Sequence, residues 1–216
     1  VAYATALAVR AQEAGAALRF GTTVVGVEGD HPVAVRTDDG SEVHAEHVVL
    51  ATHVPFPLRS LAFGLVEQRR HYAVAGRVPD AVGMTYDVGN GWSTRPWHAP
   101  GDDGHAAIAV GGGHPTGTGS ETADLHDLHA WAQRHLGMTV THMWSTQDAF
   151  STDGMPLVGN APGGHGRVWM ATGFAAWGLT LGTAAGLDLA ARIGGAGAAY
   201  PSWHPLRTSL LRHAGT

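Results

Sequence analysis

The segment from Val168 to Leu187 constrains the fold most, because no residue in it carries a charge. Gly178, Gly182 and Gly186 recur within it at the spacing found where transmembrane helices pack closely, so a membrane span is one interpretation. The turn-forming sequence from Gly173 to Gly178 favours another, in which a buried strand, a turn and a glycine-containing helix follow one another. We expect this second arrangement, and hence a soluble, cytoplasmic protein.

The composition excludes several kinds of chemistry. The 216 residues include no cysteine, and all 13 basic residues are arginine. Disulfides, thiolate metal clusters and cysteine nucleophiles are therefore absent from this sequence, as are Schiff-base lysines and the P-loop lysine of NTPases. A net charge of −5 gives no basic surface for nucleic acid. The composition favours small-molecule chemistry, with no nucleic acid and no membrane as partner.

The hydrophobic pattern divides the chain into residues 1–65, 66–148 and 149–216. The first part predicts a helix ending near Gly15, then strands at 18–20, 22–27, 33–37 and 42–50, and a short helix at 55–65. The second predicts an antiparallel platform of four strands at 68–78, 82–87, 92–97 and 105–111. We expect a helix to follow that begins after Ser120 and ends near Leu136, and then a further strand at 139–146. The third predicts a proline–glycine loop, a strand and a helix, at 153–166, 168–171 and 179–193.

Histidine is frequent, with 15 residues, which raises the question of a metal site. His126 and His129 lie three positions apart on the predicted helix, a spacing at which two imidazoles can share an ion. His135 lies more than two turns further along, too far to join them. The sequence contains no HExxH pattern. A solvated helix face is the better interpretation, and we predict no metal site.

The glycine-dense segment from Gly111 to Gly117 could cradle a phosphate. It does not follow the GxGxxG pattern, and Pro115 interrupts the start of any helix after it. We therefore expect a wide turn at the end of the fourth platform strand.

A third pattern combines glycines, aromatic residues and the start of a helix. The segment from Val168 to Phe174, followed by Trp177 to Thr180, predicts unpaired backbone N–H groups beside flat aromatic surfaces. Such a site suits an electron-rich planar ligand like a flavin, which gains negative charge on reduction. Simple packing of the same residues remains the alternative.

These segments, together with Asp153 to Gly159, resemble the carboxyl-terminal signature of the FAD-dependent D-amino acid oxidase (DAO) family. The first helix, the strand at 22–27 and the segment from Val48 to His53 are similar to the middle of that family's sequences. The chain is most similar to the subgroup often fused to a Rieske domain, through the segments at 69–72, 92–96, 112–117 and 144–148.

The resemblance implies an α+β or α/β fold, as the carboxyl-terminal part of a two-domain flavoprotein. Residues 1–65 and 149–216 would belong to an incomplete FAD-binding domain, and residues 66–148 to an antiparallel substrate domain. The family's chemistry is hydride removal from a carbon that bears an amine, with FAD as acceptor. The implied cofactor-binding residues are Val25, Ala51, Thr52, Gly154, Pro156, Gly159, Gly173, Phe174, Trp177, Gly178, Leu179 and Thr180.

The resemblance also implies a small amine or amino-acid-like substrate and an electron-acceptor protein as partners. The candidate catalytic residues are Arg95, His53 and His71, with a purely structural strand arginine as the alternative for Arg95. Relatives often carry a carboxylate-binding arginine where this sequence has Gln147 and Asp148. The family's GxGxxG unit does not occur in this sequence, so we expect part of a longer enzyme, with FAD binding incomplete and the isolated chain inactive. The rival interpretations are a non-catalytic ligand-binding module and a histidine-rich metal-binding protein.

Overall fold

A computed structural model of the chain describes residues 2–54, 56, 64–89, 91–98 and 104–207. Most of the short helix predicted at 55–65 lies outside the described residues. Along the chain the elements are α1 (Ala2–Glu13), β1 (Val24–Glu28), β2 (Val33–Thr37), β3 (Glu42–Ala45), β4 (Val48–Leu50), β5 (Val66–Arg77), β6 (Thr85–Asp87), β7 (Trp92–Trp97), β8 (Ala106–Pro115), α2 (Glu121–Leu136), β9 (Thr139–Ser151), β10 (Leu157–Asn160), β11 (Val168–Thr172), α3 (Gly178–Ile193) and a short 3-10 helix (Pro201–Trp203).

The chain forms two compact units, one of residues 1–66 and 149–216 and one of residues 67–148. The first unit contains two sheets of three strands, with the orders β1-β2-β3 and β10-β11-β4. The prediction of one strand from Glu42 to Leu50 was wrong, because β3 pairs with β2 whereas β4 pairs in parallel with β11. Leu18 to Phe20, predicted as strand, form none.

The proline–glycine segment predicted as a loop at 153–166 contains β10, which pairs antiparallel with β11. This correction has a packing reason. Val158 of β10, Ala171 of β11 and Leu189 of α3 belong to one buried cluster, so β10 supplies part of the surface on which α3 rests.

The second unit is a five-stranded sheet in the order β6-β7-β8-β5-β9, covered on one face by α2. Tyr72 and Val74 of β5 pack there against Leu128 and Ala132 of α2. Ser120 accepts the Ala123 N–H at 3.3 Å, and Gly137 ends the helix in the left-handed conformation. The predicted start and end of this helix are confirmed.

The turn predicted for the glycine segment after Val110 does not begin at Gly111. β8 continues to Pro115, and its pairing with β5 shifts register between Arg70 and Tyr72. A bulge at this point accommodates the positive φ of Gly112, +69°. The mixed α/β content with antiparallel sheets confirms the predicted fold class.

Residues 168–187 form β11, a turn and the first part of α3, which is the strand–turn–helix arrangement we expected. Across the part of the chain that the structure describes, no helix combines the length and apolar character needed to span a bilayer.

Candidate functional site

The carboxyl ends of two parallel strands meet in the first unit. Met170 of β11 pairs with Leu50 of β4, so the residues that follow each strand emerge at the same edge of the sheet. The Thr172 hydroxyl donates to the carbonyl of His53, which ties these two strand ends together. Ligands in open α/β sheets bind at such an edge.

The turn between β11 and α3 is held in an unusual backbone conformation. Gly173, Ala175 and Ala176 have φ values of +74°, +46° and +70°, in the left-handed region that alanine seldom adopts. The Ala175 N–H donates to the Ala149 carbonyl at 3.0 Å, and Phe174 forms an isolated β-bridge with Phe150. Strain of this kind persists only where the surrounding structure imposes it, and it is typical of functional sites.

The turn delivers the start of α3 to the edge formed by the two strands. Trp177 is the N-cap residue, and no side chain caps the helix there. Gly178, Leu179 and Thr180 are exposed, and their N–H groups belong to the first turn, which has no intrahelical acceptors. These donors and the positive end of the helix dipole favour an anion or an electron-rich carbonyl group.

The space at this helix start is open. A Cβ placed on Gly178 meets no atom within 4 Å. Trp177 is 62% exposed and Leu179 is 63% exposed, so apolar surface lies next to the free N–H groups. A planar ring system with a polar carbonyl edge has the matching chemistry, and the isoalloxazine of FAD is such a group.

The remaining predicted cofactor-binding residues lie partly at this sheet edge and partly elsewhere in the first unit. Ala51 and Thr52 follow β4 at the same sheet edge, whereas Val25 lies half exposed on β1 in the other sheet. Gly154 forms an exposed turn with φ +75°. Pro156 is buried, and a Cβ on Gly159 would lie 3.1 Å from Pro205, so protein surrounds both residues.

The candidate catalytic residues are distributed over both units. In the first unit His53 is exposed at the end of β4, with a φ of +66°. In the second unit Arg95 is exposed on β7, opposite Ile108 of β8. His71 is partly buried on β5, and its Nδ1 lies 3.1 Å from Oδ2 of Asp148.

The pairing of His71 with Asp148 was not anticipated from the sequence. The side chains are 23% and 22% exposed, so the contact is partly shielded from solvent. A Cβ on Gly113 would approach the His71 ring to 2.9 Å, so this glycine allows β8 to lie against the imidazole. The signal in the sequence was Asp148 itself, at the place where the family resemblance implies a carboxylate-binding arginine.

A second polar cluster in the same unit was also missed. The hydroxyl of Tyr72, which is fully buried, lies 2.7 Å from His114 Nε2, and His114 Nδ1 lies 3.0 Å from the Pro115 carbonyl. Asp124 lies 3.4 Å from the same Nε2. Burial, with the nearby carboxylates of Asp124 and Glu121, raises the pKa of Tyr72 above its ordinary value.

The histidines of α2 do not converge. His126 is exposed and lies 3.7 Å from its neighbour Asp127, while the His135 ring lies 5.3 Å from that of Trp131. Within the described ranges, no group of three or more histidine, aspartate or glutamate residues could hold a metal ion.

A parallel strand pair whose carboxyl ends face an uncapped helix start is the arrangement at which open α/β sheets bind ligands. The sequence model of the family described as FAD dependent oxidoreductase (DAO) matches residues 1–192. The chain belongs to this family. Among curated protein sequences no match is found.

Solved structures share the fold. Glycine oxidase from Geobacillus kaustophilus superposes with a TM-score of 0.76 at 23% identity, over 94% of this chain and 57% of that chain. L-Proline dehydrogenase from P. horikoshii gives 0.71 at 19% identity, over 95% and 58%. Iminodiacetate oxidase from Chelativorans sp. BNC1 gives 0.73 at 18% identity, over 94% and 57%. The chain thus spans less than two thirds of the length of these proteins.

Proposed function

We propose that this chain is part of an FAD-dependent oxidoreductase that oxidises a C–N bond of an amine or amino-acid-like substrate by hydride transfer to flavin. One observation carries the proposal: the uncapped, exposed start of α3 lies at the carboxyl ends of the parallel strands β4 and β11. The family match over residues 1–192 identifies the ligand class that suits it.

The residues at that edge would hold the flavin. Gly173, Phe174 and the first turn of α3, Trp177 to Thr180, would surround the isoalloxazine, with the N–H groups of the turn stabilising negative charge at its carbonyl edge. Val25, Ala51 and Thr52 would contact the nucleotide portion, and Gly154 and Pro156 of the adjoining loop, with Gly159 of β10, would support the site. When bound, FAD supplies the hydride acceptor.

Three residues are the candidates for contact with the substrate. His71, whose Nδ1 lies 3.1 Å from Oδ2 of Asp148, would exchange a proton with a substrate ammonium group. Arg95 would bind a substrate anion, and His53 is the remaining candidate for proton transfer. The solved relatives named for glycine, L-proline and iminodiacetate support an amine or amino-acid-like substrate.

We further propose that the enzyme works in the cytoplasm as an oxidase or as a dehydrogenase with an electron-acceptor protein, and that it belongs to the Rieske-associated subgroup. The basis is the resemblance of residues 69–72, 92–96, 112–117 and 144–148. Turnover with an artificial electron acceptor at a rate well above that with oxygen would indicate a dehydrogenase. Faster turnover with oxygen would indicate an oxidase.

The absorbance spectrum of the protein made from its complete reading frame tests the proposed function. Flavin bands that bleach anaerobically on addition of glycine, L-proline or a simple amine are the expected result. Comparing amines with and without a carboxylate shows whether Arg95 has an anion to bind. A colourless protein that still binds amines in calorimetry would instead indicate a non-catalytic ligand-binding module. Stoichiometric zinc in elemental analysis would indicate a metal-binding protein.

Gly178→Val tests the position of the flavin. We expect the valine to fill the open space at the helix start and raise the Kd for FAD by about tenfold or more, equal to about 1.4 kcal/mol. Gly186→Val is the matched control, because Gly186 is also exposed on α3 and a Cβ placed on it would meet no atom within 4 Å. FAD affinity is measured by fluorescence titration. Equal affinity in the two variants would show that the flavin does not bind at this helix start.

A further inference from the structure

Residues 199–207, which we call the strap, begin at a buried carboxylate of α3. Asp188 is fully buried, and its Oδ1 accepts the N–H groups of Ala199 at 2.6 Å and Tyr200 at 3.1 Å. Arg192 donates through Nε to Oδ2 of Asp188 at 2.7 Å and through a terminal nitrogen to the Tyr200 carbonyl at 3.1 Å. Because every one of these bonds ends on α3 or on the strap, the carboxylate fixes this end of the strap to the helix.

The strap ends at a second ion pair. Arg207 and Asp153 are 9% and 7% exposed, and the guanidinium contacts both carboxylate oxygens, through Nε at 2.7 Å and through a terminal nitrogen. The same guanidinium donates to the carbonyls of Met155 at 2.8 Å and Pro156 at 2.9 Å. A lysine cannot reproduce this planar, multidentate arrangement. Arg207 therefore fixes the shape of the loop at 153–156.

Between its two ends the strap packs on the core of the first unit. Trp203 is buried in the cluster that contains Val158, Ala171 and Leu189, and its ring stacks on that of Tyr200 at 4.2 Å. The strap is therefore an integral layer of the first unit, joining α3 to the loop that follows β9.

The loop held by Arg207 is flanked on both sides by residues that lie directly against the turn that precedes α3. The Ser151 hydroxyl donates to the Met155 carbonyl at 2.6 Å. A Cβ on Gly173 would lie 3.4 Å from the Cβ of Ser151 and 3.6 Å from the N atom of Leu157, so the residues at both ends of the loop are in contact with the turn. The next residue in the chain, Phe174, forms its β-bridge with Phe150. A shift of the loop would thus displace Gly173 and Phe174.

We propose that the strap positions the cofactor-binding turn, with Arg207 as its positioning residue and Asp188 as its anchor on α3; the purpose assigned to the turn rests on the proposed function. The hydrogen bonds of Arg207 go to the loop and to the strap itself. It therefore acts through Asp153 and the loop on the backbone of residues 173–177, and so sets where the free N–H groups of α3 point.

Arg207→Lys and Asp188→Asn test the strap at its two ends, and amide hydrogen exchange of the protein without FAD is the first measurement. We expect exchange in residues 173–180 to become about tenfold faster in each variant, because local opening now costs less free energy. Exchange in β1 to β3 should stay unchanged. Arg10→Lys is the control, since the Arg10–Glu13 pair is exposed on α1. If Arg207→Lys does not fold, amide exchange of residues 173–180 in Asp188→Asn tests the proposal instead.

The second measurement uses the protein loaded with FAD. A changed reduction potential or shifted visible bands of the bound flavin in Arg207→Lys are expected, because the N–H groups at its edge have moved. A lower Tm with unchanged potential and bands would show a purely structural residue and overturn the proposal. So would faster exchange confined to residues 199–207. If the wild-type protein takes up no flavin, the proposed function fails, whereas the exchange data still decide whether the strap controls the turn.

Discussion

At the scale of single residues, Tyr72 shows how burial determines chemistry in the second unit. Its hydroxyl has His114 Nε2 as a partner, at 2.7 Å, and its ring is fully enclosed between the sheet and α2. A buried hydroxyl requires such a partner, since leaving it unpaired costs free energy. The raised pKa of Tyr72 follows from the same burial, because the phenolate would lose its hydration.

Tyr72→Phe should lower the free energy of unfolding at neutral pH by about 1 kcal/mol, since His114 loses a hydrogen-bond partner. The pKa of Tyr72 in the folded state lies above its ordinary value of 10.0, so the unfolded chain releases this proton first as pH rises. The wild-type protein should therefore lose stability as the pH rises above about 10, and Tyr72→Phe should lose less.

Urea unfolding at neutral and at high pH measures these differences. Tyr86→Phe is the matched control, because Tyr86 is 60% exposed. It should change neither the stability at neutral pH nor its loss at high pH. If Tyr72→Phe loses as much free energy of unfolding at high pH as the wild type, Tyr72 does not contribute to the pH dependence of stability.

At the scale of secondary-structure elements, local signals predicted helices better than sheet partners. Ser120 and the glycine after Leu136 bracket α2 in the sequence, and both act within one turn of the chain. The partner of β4 could not be predicted, because β11 lies more than a hundred residues away and parallel pairing leaves no local turn signal. β10 was missed since Gly159 and the surrounding prolines mask a short buried strand.

Gly76→Ala tests how closely β5 and β9 approach. A Cβ on Gly76 would lie 2.0 Å from the carbonyl oxygen of Thr139, which no side chain can tolerate without moving a strand. We expect the free energy of unfolding to fall by about 2 kcal/mol or more, as for other overpacked positions. Gly83→Ala is the control, because its Cβ would meet no atom within 4 Å. Similar stability of the two variants by urea unfolding would contradict this close approach.

At the scale of the whole molecule, the site depends on residues that are distant in the sequence. The helix start, the ends of β4 and β11 and the loop at 153–156 come together only through pairings formed on folding. The sequence alone indicated the helix start, because its glycines and aromatic residues are contiguous. The Arg207–Asp153 pair and the His71–Asp148 pair each join positions more than fifty residues apart, which periodicity and turn chemistry cannot reveal.

FAD should protect the first unit selectively. A ligand that binds only the folded state stabilises it by about 2.7 kcal/mol at a concentration of 100 times Kd, and that stabilisation appears where the contacts form. We expect slower amide exchange in residues 51–54 and 173–180 when FAD is added to the protein made from its complete reading frame. Exchange in α2 should not change, because α2 packs on the sheet of the second unit.

Riboflavin provides the comparison for the nucleotide portion, since it carries the isoalloxazine without the adenine. Protection of residues 173–180 by both ligands, with protection near Val25 by FAD alone, would support the proposed division of contacts between the flavin ring and the nucleotide. Protection of α2 with none at 173–180 would place the flavin elsewhere. Because the free N–H groups of α3 attract the carbonyl edge of the ring, riboflavin should slow exchange there even though it binds more weakly than FAD.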